Sequence, residues 1–74
     1  MSDLKREFQA HNPRVCYIDH KYLDGGRIGF SYIFTHGGNV YGGVLVYKTI
    51  NGQVDWYGGS EMYDSWSTVK QRTR

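Results

Sequence analysis

The sequence predicts an α+β domain: a four-stranded antiparallel β-meander with a short N-terminal helix and a C-terminal helix packed on its aromatic face. Three observations favour this fold. Apolar residues recur with a helical period at both ends of the chain, whereas residues 14–58 mostly alternate with the period of a strand. Glycine pairs and an Asn-Gly pair separate the alternating runs, as is typical of tight hairpin turns. A chain of 74 residues has room for one domain, 1–74.

The first element is a predicted helix over residues 3–11. Leu4, Phe8 and His11 recur at i, i+4 and i+7, and Asn12-Pro13 ends the pattern because proline cannot continue a helix. A helix of this length is marginal by itself in water. We therefore expect it to pack against the sheet.

The sheet is predicted from four alternating runs. The strands are 14–20, 27–35, 40–49 and 53–58, with turns at 24–26, 37–38 and 51–52. Two-residue loops at the last two turns would pair Phe30 with Leu45 and Tyr47 with Trp56. Together these two assumptions place the following side chains on one face: Ile28, Phe30, Tyr32, Phe34, Tyr41, Leu45, Tyr47, Val54 and Trp56. A slip of one residue in either hairpin would scatter the set over both faces, so the agreement supports the register.

The first hairpin has two possible registers. A two-residue loop at Gly25-Gly26 would put the odd-numbered side chains of Tyr17–Lys21 on the aromatic face. A longer loop with a glycine bulge would instead put the even-numbered side chains of Cys16–Tyr22 there. The second set is more apolar, and we prefer it.

The last element is a predicted helix over residues 60–72. Ser60 is a suitable N-cap, and Met62, Trp66 and Val69 recur at i, i+4 and i+7. This stripe is expected to cover the aromatic face together with the first helix. Residues 70–74 are expected to be a basic, solvated and partly disordered tail.

Composition limits the class of protein. Cys16 is the single cysteine, which excludes an internal disulfide, and the chain shows neither a signal-peptide pattern nor an apolar run long enough for a membrane span. We therefore expect a cytoplasmic protein, in the host cytoplasm if it is viral. Because so short a chain buries a small core, we also expect a homo-oligomer.

No motif in the sequence points to catalysis or to a cofactor. The glycines match neither a P-loop nor a dinucleotide-binding loop. His20 and His36 lack metal-ligand spacing, and Cys16 lies in an apolar strand, where thiols are usually inert. The sequence predicts no enzyme, no cofactor and no metal.

The leading hypothesis is a non-catalytic protein that docks on a protein partner. It would act as an inhibitor or adaptor, as small accessory proteins of phages and bacteria do. Exposed tyrosines and polar turn residues would form the contact surface, since tyrosine is a common interface anchor. These residues are Tyr57, Tyr22, Tyr63, His36 and Asn39. The opposite sheet face is apolar and would form a homodimer through Ile33, Val40, Val44 and Val46.

Two alternatives remain open. A nucleic-acid-binding protein would use strand tyrosines for stacking and basic termini for phosphate contacts. The basic residues are Lys5, Arg6, Lys70, Arg72 and Arg74. A small-molecule or nucleotide-binding module is the second alternative, although the sequence does not place its pocket.

Overall fold

The computed structural model describes residues 3–72, so Arg74 of the predicted nucleic-acid contacts lies outside the described residues. The elements in chain order are α1 (Asp3–His11), β1 (Cys16–Leu23), β2 (Arg27–His36), β3 (Asn39–Ile50), β4 (Gln53–Val54), β5 (Ser60–Tyr63) and α2 (Trp66–Arg72). The predicted α+β architecture is confirmed: a helix at each end of the chain and an antiparallel meander between them. No helix within residues 3–72 is long and apolar enough to cross a membrane.

The central β2–β3 hairpin has the register that the sequence predicts. Phe30 lies opposite Leu45, Tyr32 opposite Gly43, and Phe34 opposite Tyr41. Gly37 and Gly38 both have positive φ angles, 59° and 81°, as a two-residue type I′ turn requires. The turn after β3 is of the same kind, because Asn51 and Gly52 have φ angles of 54° and 79°. Two tight turns therefore fix the alignment of the chain from β2 to β4.

The first hairpin combines both registers that the sequence left open. A three-residue loop pairs Leu23 with Arg27, so His20 and Tyr22 lie on the aromatic face, as the preferred register predicts. A β-bulge between Tyr17 and Asp19 then shifts the pairing by one residue. As a result Tyr17 lies on the aromatic face and Cys16 on the opposite one. The preference was right for the second half of β1 and wrong for Cys16.

The predicted fourth strand, residues 53–58, is shortened to β4, and β5 lies in the segment predicted as the start of the C-terminal helix. Pairing with β3 is regular for Gln53 and Val54 and extends to Asp55, whose backbone N–H donates to the Lys48 carbonyl at 2.9 Å. The chain then turns, and β5 pairs with β3 in its place, with Ser60 opposite Tyr47. The predicted pairing of Tyr47 with Trp56 is therefore wrong as strand pairing. Their rings nevertheless make contact, with centroids 4.9 Å apart.

The two helices pack on opposite faces of the sheet. Phe8 of α1 is fully buried on the aromatic face, stacked on Phe30 at a centroid distance of 4.7 Å. All nine side chains assigned to this face pack on one side, either in the core around Phe8 or, for Tyr41, against Phe34. The sequence-based expectation that the C-terminal helix covers the same face is wrong. Val69 of α2 instead packs against Val44 and Val46 on the opposite face of the sheet. We call this opposite face the rear face.

The position at which α2 starts explains why this helix packs on the rear face. Residues 60–63 form β5, and the helix begins at Trp66 with Ser65 as its cap, because the Ser65 hydroxyl accepts from the Thr68 N–H at 3.3 Å. The shorter helix sends the Trp66 ring over Gly29 of the rear face; a Cβ on Gly29 would lie 2.9 Å from that ring. Of the predicted tail, residues 70–72 belong to α2, and residues 73–74 lie outside the described residues.

Candidate docking surface

The β2–β3 hairpin extends well beyond the strands beside it. The last β1 pair joins Cys16 to Ile33, and the last β5 pair joins Tyr63 to Val44. The two strands of the hairpin continue to the turn at 37–38 with no strand on either side. We call this segment, residues 34–43, the distal hairpin.

The distal hairpin and its surroundings expose apolar side chains on both faces. On the rear face, Val40 is 68% exposed and the neighbouring Ile33 is 39% exposed. On the aromatic face, Tyr41 is 44% exposed, and Met62 of the adjacent β5 is 71% exposed. No Asp, Glu, Lys or Arg occurs between residues 28 and 47. A charge-free apolar surface of this kind is characteristic of interaction sites.

Three aromatic rings run along the aromatic face towards the turn. The Tyr32 and Phe34 rings are 6.3 Å apart at an interplanar angle of 28°, and the Phe34 and Tyr41 rings are 5.3 Å apart at 24°. The Tyr32 ring also covers Gly43, where a Cβ would lie 2.7 Å from the tyrosine hydroxyl. The glycine therefore provides the space that allows Tyr32 to lie flat against the strand.

A cleft of about 550 Å³ opens over these rings. Tyr32 and Phe34 line it from the sheet, while Arg14 with Val15 and, from β5, Met62 also line it. Of these residues, Arg14, Val15 and Met62 were not indicated by the sequence. Met62 was assigned to a helix, and nothing in the local pattern around Arg14 indicates where the segment before β1 lies.

Two polar side chains of α1 and its C-terminal turn hold that segment in place. Gln9 donates to the Val15 carbonyl at 2.7 Å and accepts from the Tyr17 N–H at 2.9 Å. Asn12 donates from its side chain to the Tyr47 hydroxyl at 3.0 Å. Because Phe8 anchors α1 in the core, these bonds also fix Val15 at the border of the cleft.

Three tyrosines have raised pKa values. Burial, and secondly the charge of Asp19, raises the pKa of Tyr17 above its ordinary value of 10.0. Burial, and secondly the charge of Asp64, does the same to the pKa of Tyr32. For Tyr63 the main cause of the raised pKa is its hydrogen bond to Glu61. The hydroxyls of all three therefore remain protonated at physiological pH.

The five predicted partner-binding residues do not form one surface. His36 and Asn39 face each other across the distal turn. Tyr22 lies near the other end of the aromatic face, Tyr63 is opposite Val44 on the rear face, and Tyr57 packs edge-on against His11 at 5.2 Å. The first two adjoin the cleft region, whereas the three tyrosines lie elsewhere.

The predicted dimer face is only partly accessible. Val44 and Val46 are 2% and 4% exposed because α2 covers them, so they cannot meet a second copy. Ile33 and Val40 remain exposed.

The predicted nucleic-acid contacts are divided between the two helices. Lys5 and Arg6 belong to α1 on the aromatic face, and Lys70 and Arg72 to α2 on the rear face. The sheet therefore separates the two basic groups.

The remaining chemical candidates are dispersed. Within residues 3–72, no group of three or more His, Cys, Asp or Glu side chains is placed to hold a metal ion. His20 accepts or donates one hydrogen bond with the Tyr17 hydroxyl at 2.8 Å, and Cys16 is an exposed free thiol. Comparison of the chain with protein-family models, with curated proteins and with solved structures found no match.

Proposed function

We propose that this chain is a small, non-catalytic cytoplasmic protein that docks on another protein through the distal hairpin and its cleft. The observation that carries the proposal is the apolar, charge-free surface beyond the last β1 and β5 pairs. A two-stranded ribbon is marginally stable in water by itself. A partner that covers it would bury Val40, Tyr41 and Met62, which are now largely exposed.

The chemistry of the cleft indicates what the partner offers. Aromatic rings and Met62 suit an apolar or aromatic side chain, since methionine and aromatic surfaces adapt to such anchors. Arg14 supplies the positive charge in the cleft lining. A partner segment with an apolar anchor beside a carboxylate would match both features. Such a protein would act stoichiometrically, as an inhibitor or adaptor of the kind found among accessory proteins of phages and bacteria.

Nucleic-acid binding is the rival that the test must distinguish. Its predicted phosphate contacts in α1 and α2 lie on opposite faces of the sheet, and neither helix borders the cleft. A nucleic-acid strand would therefore meet the aromatic rings without most of the basic side chains. This arrangement favours a protein partner.

The test compares Met62→Glu with Ile50→Glu. Both replace an exposed apolar side chain, 71% and 58% exposed, but Ile50 lies at the opposite end of β3 from the cleft. Immobilised wild type and both variants capture proteins from a lysate of the organism in which the chain occurs, or of its host if it is viral. A candidate retained by wild type and Ile50→Glu is then purified and its affinity measured by calorimetry.

We expect Met62→Glu to weaken that purified pair by at least about tenfold, as for a residue at the centre of an interface. Ile50→Glu should bind like wild type. Equal binding by both variants would contradict the proposal. So would retention of DNA or RNA that falls steeply with salt, which would establish the nucleic-acid alternative instead.

A further inference from the structure

The edge of β3 along the distal hairpin carries unpaired backbone groups. In a two-residue hairpin the two residues that flank the turn exchange both backbone hydrogen bonds. From there, successive residues of each strand point their N–H and C=O groups alternately away from and towards the partner strand. Odd-numbered residues of β3 therefore point their N–H and C=O groups towards β2, and even-numbered residues point outwards. Two hydrogen bonds confirm this alternation. The Thr49 N–H points towards β2 and donates to the Gly26 carbonyl at 2.8 Å, whereas the Lys48 carbonyl points away from β2 and accepts from the Asp55 N–H at 2.9 Å. Beyond the end of β5, the backbone groups of Val40 and Gly42 consequently face outwards.

The other long edge of the sheet is protected. Along β1, the Gln9 side chain occupies both the Val15 carbonyl and the Tyr17 N–H, as a neighbouring strand would. A bulge follows, and Asp19 and Lys21 add charges. Short strands, bulges and charged residues are the usual means of preventing edge-to-edge pairing. The β3 edge at residues 39–43 has none of these.

The distal edge of β2 offers less than that of β3. By the same alternation, Thr35 is the residue beyond Ile33 whose backbone faces outwards. The Pro13–Cys16 segment lies alongside it, bordering a hollow of about 350 Å³ with Ile33, Phe34 and Thr35. A new strand therefore finds more free backbone groups on β3, where both Val40 and Gly42 face outwards, than on β2, where only Thr35 does so beyond Ile33.

We propose that a second copy of this chain pairs with the β3 edge, antiparallel and centred on Tyr41. In this register Val40 lies opposite Gly42 of the second copy, and the two residues exchange backbone hydrogen bonds on each side of the two-fold axis. The two Tyr41 residues face each other as a non-hydrogen-bonded pair on the aromatic face. Each Tyr41 ring already stacks on Phe34 at 5.3 Å, so the aromatic row would continue across the interface.

Charge and pattern favour a second copy as the occupant. The chain carries a net charge of +2, but residues 28–47 contain no Asp, Glu, Lys or Arg, so identical edges meet without repulsion between like charges. A chain of 74 residues also benefits from the extra burial that a dimer gives.

This inference goes beyond the proposed function, because self-association needs no other partner. The experiments use the purified chain alone and leave binding of another protein untested. An absence of self-association would therefore not affect the docking proposal, and an absence of docking would not affect the dimer.

The first experiment introduces proline at free backbone N–H groups. Val40→Pro removes an outward N–H that has no bond within the monomer, so the hairpin should still fold while the edge is blocked. Thr35→Pro is the matched control on the other edge. Val40→Thr is the second control, because it retains the N–H and the branched shape but makes the rear-face side chain polar.

Sedimentation velocity measures the result. We expect the wild type, Thr35→Pro and Val40→Thr to reach about twice the 8.6 kDa chain mass. We expect Val40→Pro to raise the dissociation constant of the dimer at least about tenfold, through lost hydrogen bonds and ring clash. A wild type that stays monomeric up to about 1 mM would overturn the proposal. Equal weakening by Val40→Thr and Val40→Pro would overturn it in favour of a dimer packed through the rear face.

The second experiment tests the register by cross-linking. In a Cys16→Ser background, Tyr41→Cys places two thiols on a non-hydrogen-bonded pair, where Cα atoms about 4.5 Å apart suit a disulfide. Val40→Cys is the control, since its counterpart in the second copy would be two residues away along the ladder. Oxidation should give a covalent dimer with Tyr41→Cys and not with Val40→Cys. The reverse result, or cross-linking of neither, would overturn pairing centred on Tyr41.

Discussion

The two halves of the β2–β3 hairpin belong to the same pair of strands but have different surroundings. Near the open end, Ile28 and Phe30 are fully buried beneath α1, and Val46 is buried beneath α2. Strands β1 and β5 occupy the two edges there. The distal hairpin keeps the same uninterrupted register, but no helix covers it and no strand pairs with its edges. Pairing is therefore set by turn geometry and strand propensity, whereas burial is set by the elements that happen to lie nearby.

Tyr32 lies at the boundary between the two halves. It is 5% exposed although its partner Gly43 lies in the distal hairpin, because its ring lies flat over that glycine. From Phe34 onwards each ring is supported mainly by the previous ring. The distal half is thus an extension of the core that lacks its cover, and a partner or a second copy would supply that cover.

The largest expected difference between the two halves is in the free energy of unfolding of Phe30→Ala and Phe34→Ala. Phe30 is fully buried and contacts Phe8, Tyr47 and Trp56. Its truncation should lower the free energy of unfolding by about 3–5 kcal/mol, much of the stability of so small a domain. Phe34 is half-buried, and its truncation should lower the free energy of unfolding by about 1 kcal/mol. Urea denaturation at low protein concentration measures both, and equal losses would show that the distal half belongs to the same core.

A smaller effect is expected from adding a methyl group to one glycine in each half. A Cβ on Gly29 would lie 2.9 Å from the Trp66 ring, so Gly29→Ala should displace α2 and lower the free energy of unfolding by about 1–3 kcal/mol. A Cβ on Gly42 would meet the Tyr32 carbonyl oxygen at 3.3 Å and the Ile33 side chain at 3.6 Å. Gly42→Ala should therefore change the free energy of unfolding by less than about 1 kcal/mol, because alanine also lowers the conformational entropy of the unfolded chain, which offsets part of the close contact. Thermal melts of the two variants decide between these values, and a larger loss at Gly42 would contradict the view that the distal half is loosely packed.

The sequence was sufficient to predict those parts of the fold that depend on local chemistry. Turns that need positive φ angles are marked by Gly37-Gly38 and Asn51-Gly52, and together with alternation they determine the register of the central hairpin and one complete face. The sequence was insufficient where a few residues choose between two local structures. Met62 begins a helical apolar spacing that continues to Val69, yet pairing with the free edge of β3 makes residues 60–63 a strand. Tertiary contact outweighed the local pattern there.

The candidate site was less predictable than the fold. The cleft depends on where the segment before β1 lies, which Gln9 sets through two hydrogen bonds to residues six and eight positions away. Nothing in the local sequence distinguishes this glutamine from a solvent-exposed one. One signal was available for the C-terminal helix: Gly29, in the middle of a strand, marks the close approach of another element. That element is Trp66 of α2 on the rear face.

The most sensitive comparison of the two halves requires no substitution. Val40 and Gly42 point their backbone groups outwards on the open edge, whereas Val44 and Val46 point theirs towards β5, opposite Tyr63 and Glu61. In dilute protein the amides of Val44 and Val46 should exchange with solvent hydrogen slowly, near the limit set by global unfolding, and those of Val40 and Gly42 rapidly.

Raising the protein concentration should slow exchange at Val40 and Gly42 and leave Val44 and Val46 unchanged, because a second copy would bond to the first pair alone. Exchange measured by NMR at two concentrations gives the result directly. Slow exchange at Val40 in dilute, monomeric protein would mean that the open edge is closed by the chain itself, and the difference between the two halves would then lie in their side chains and not in their backbones.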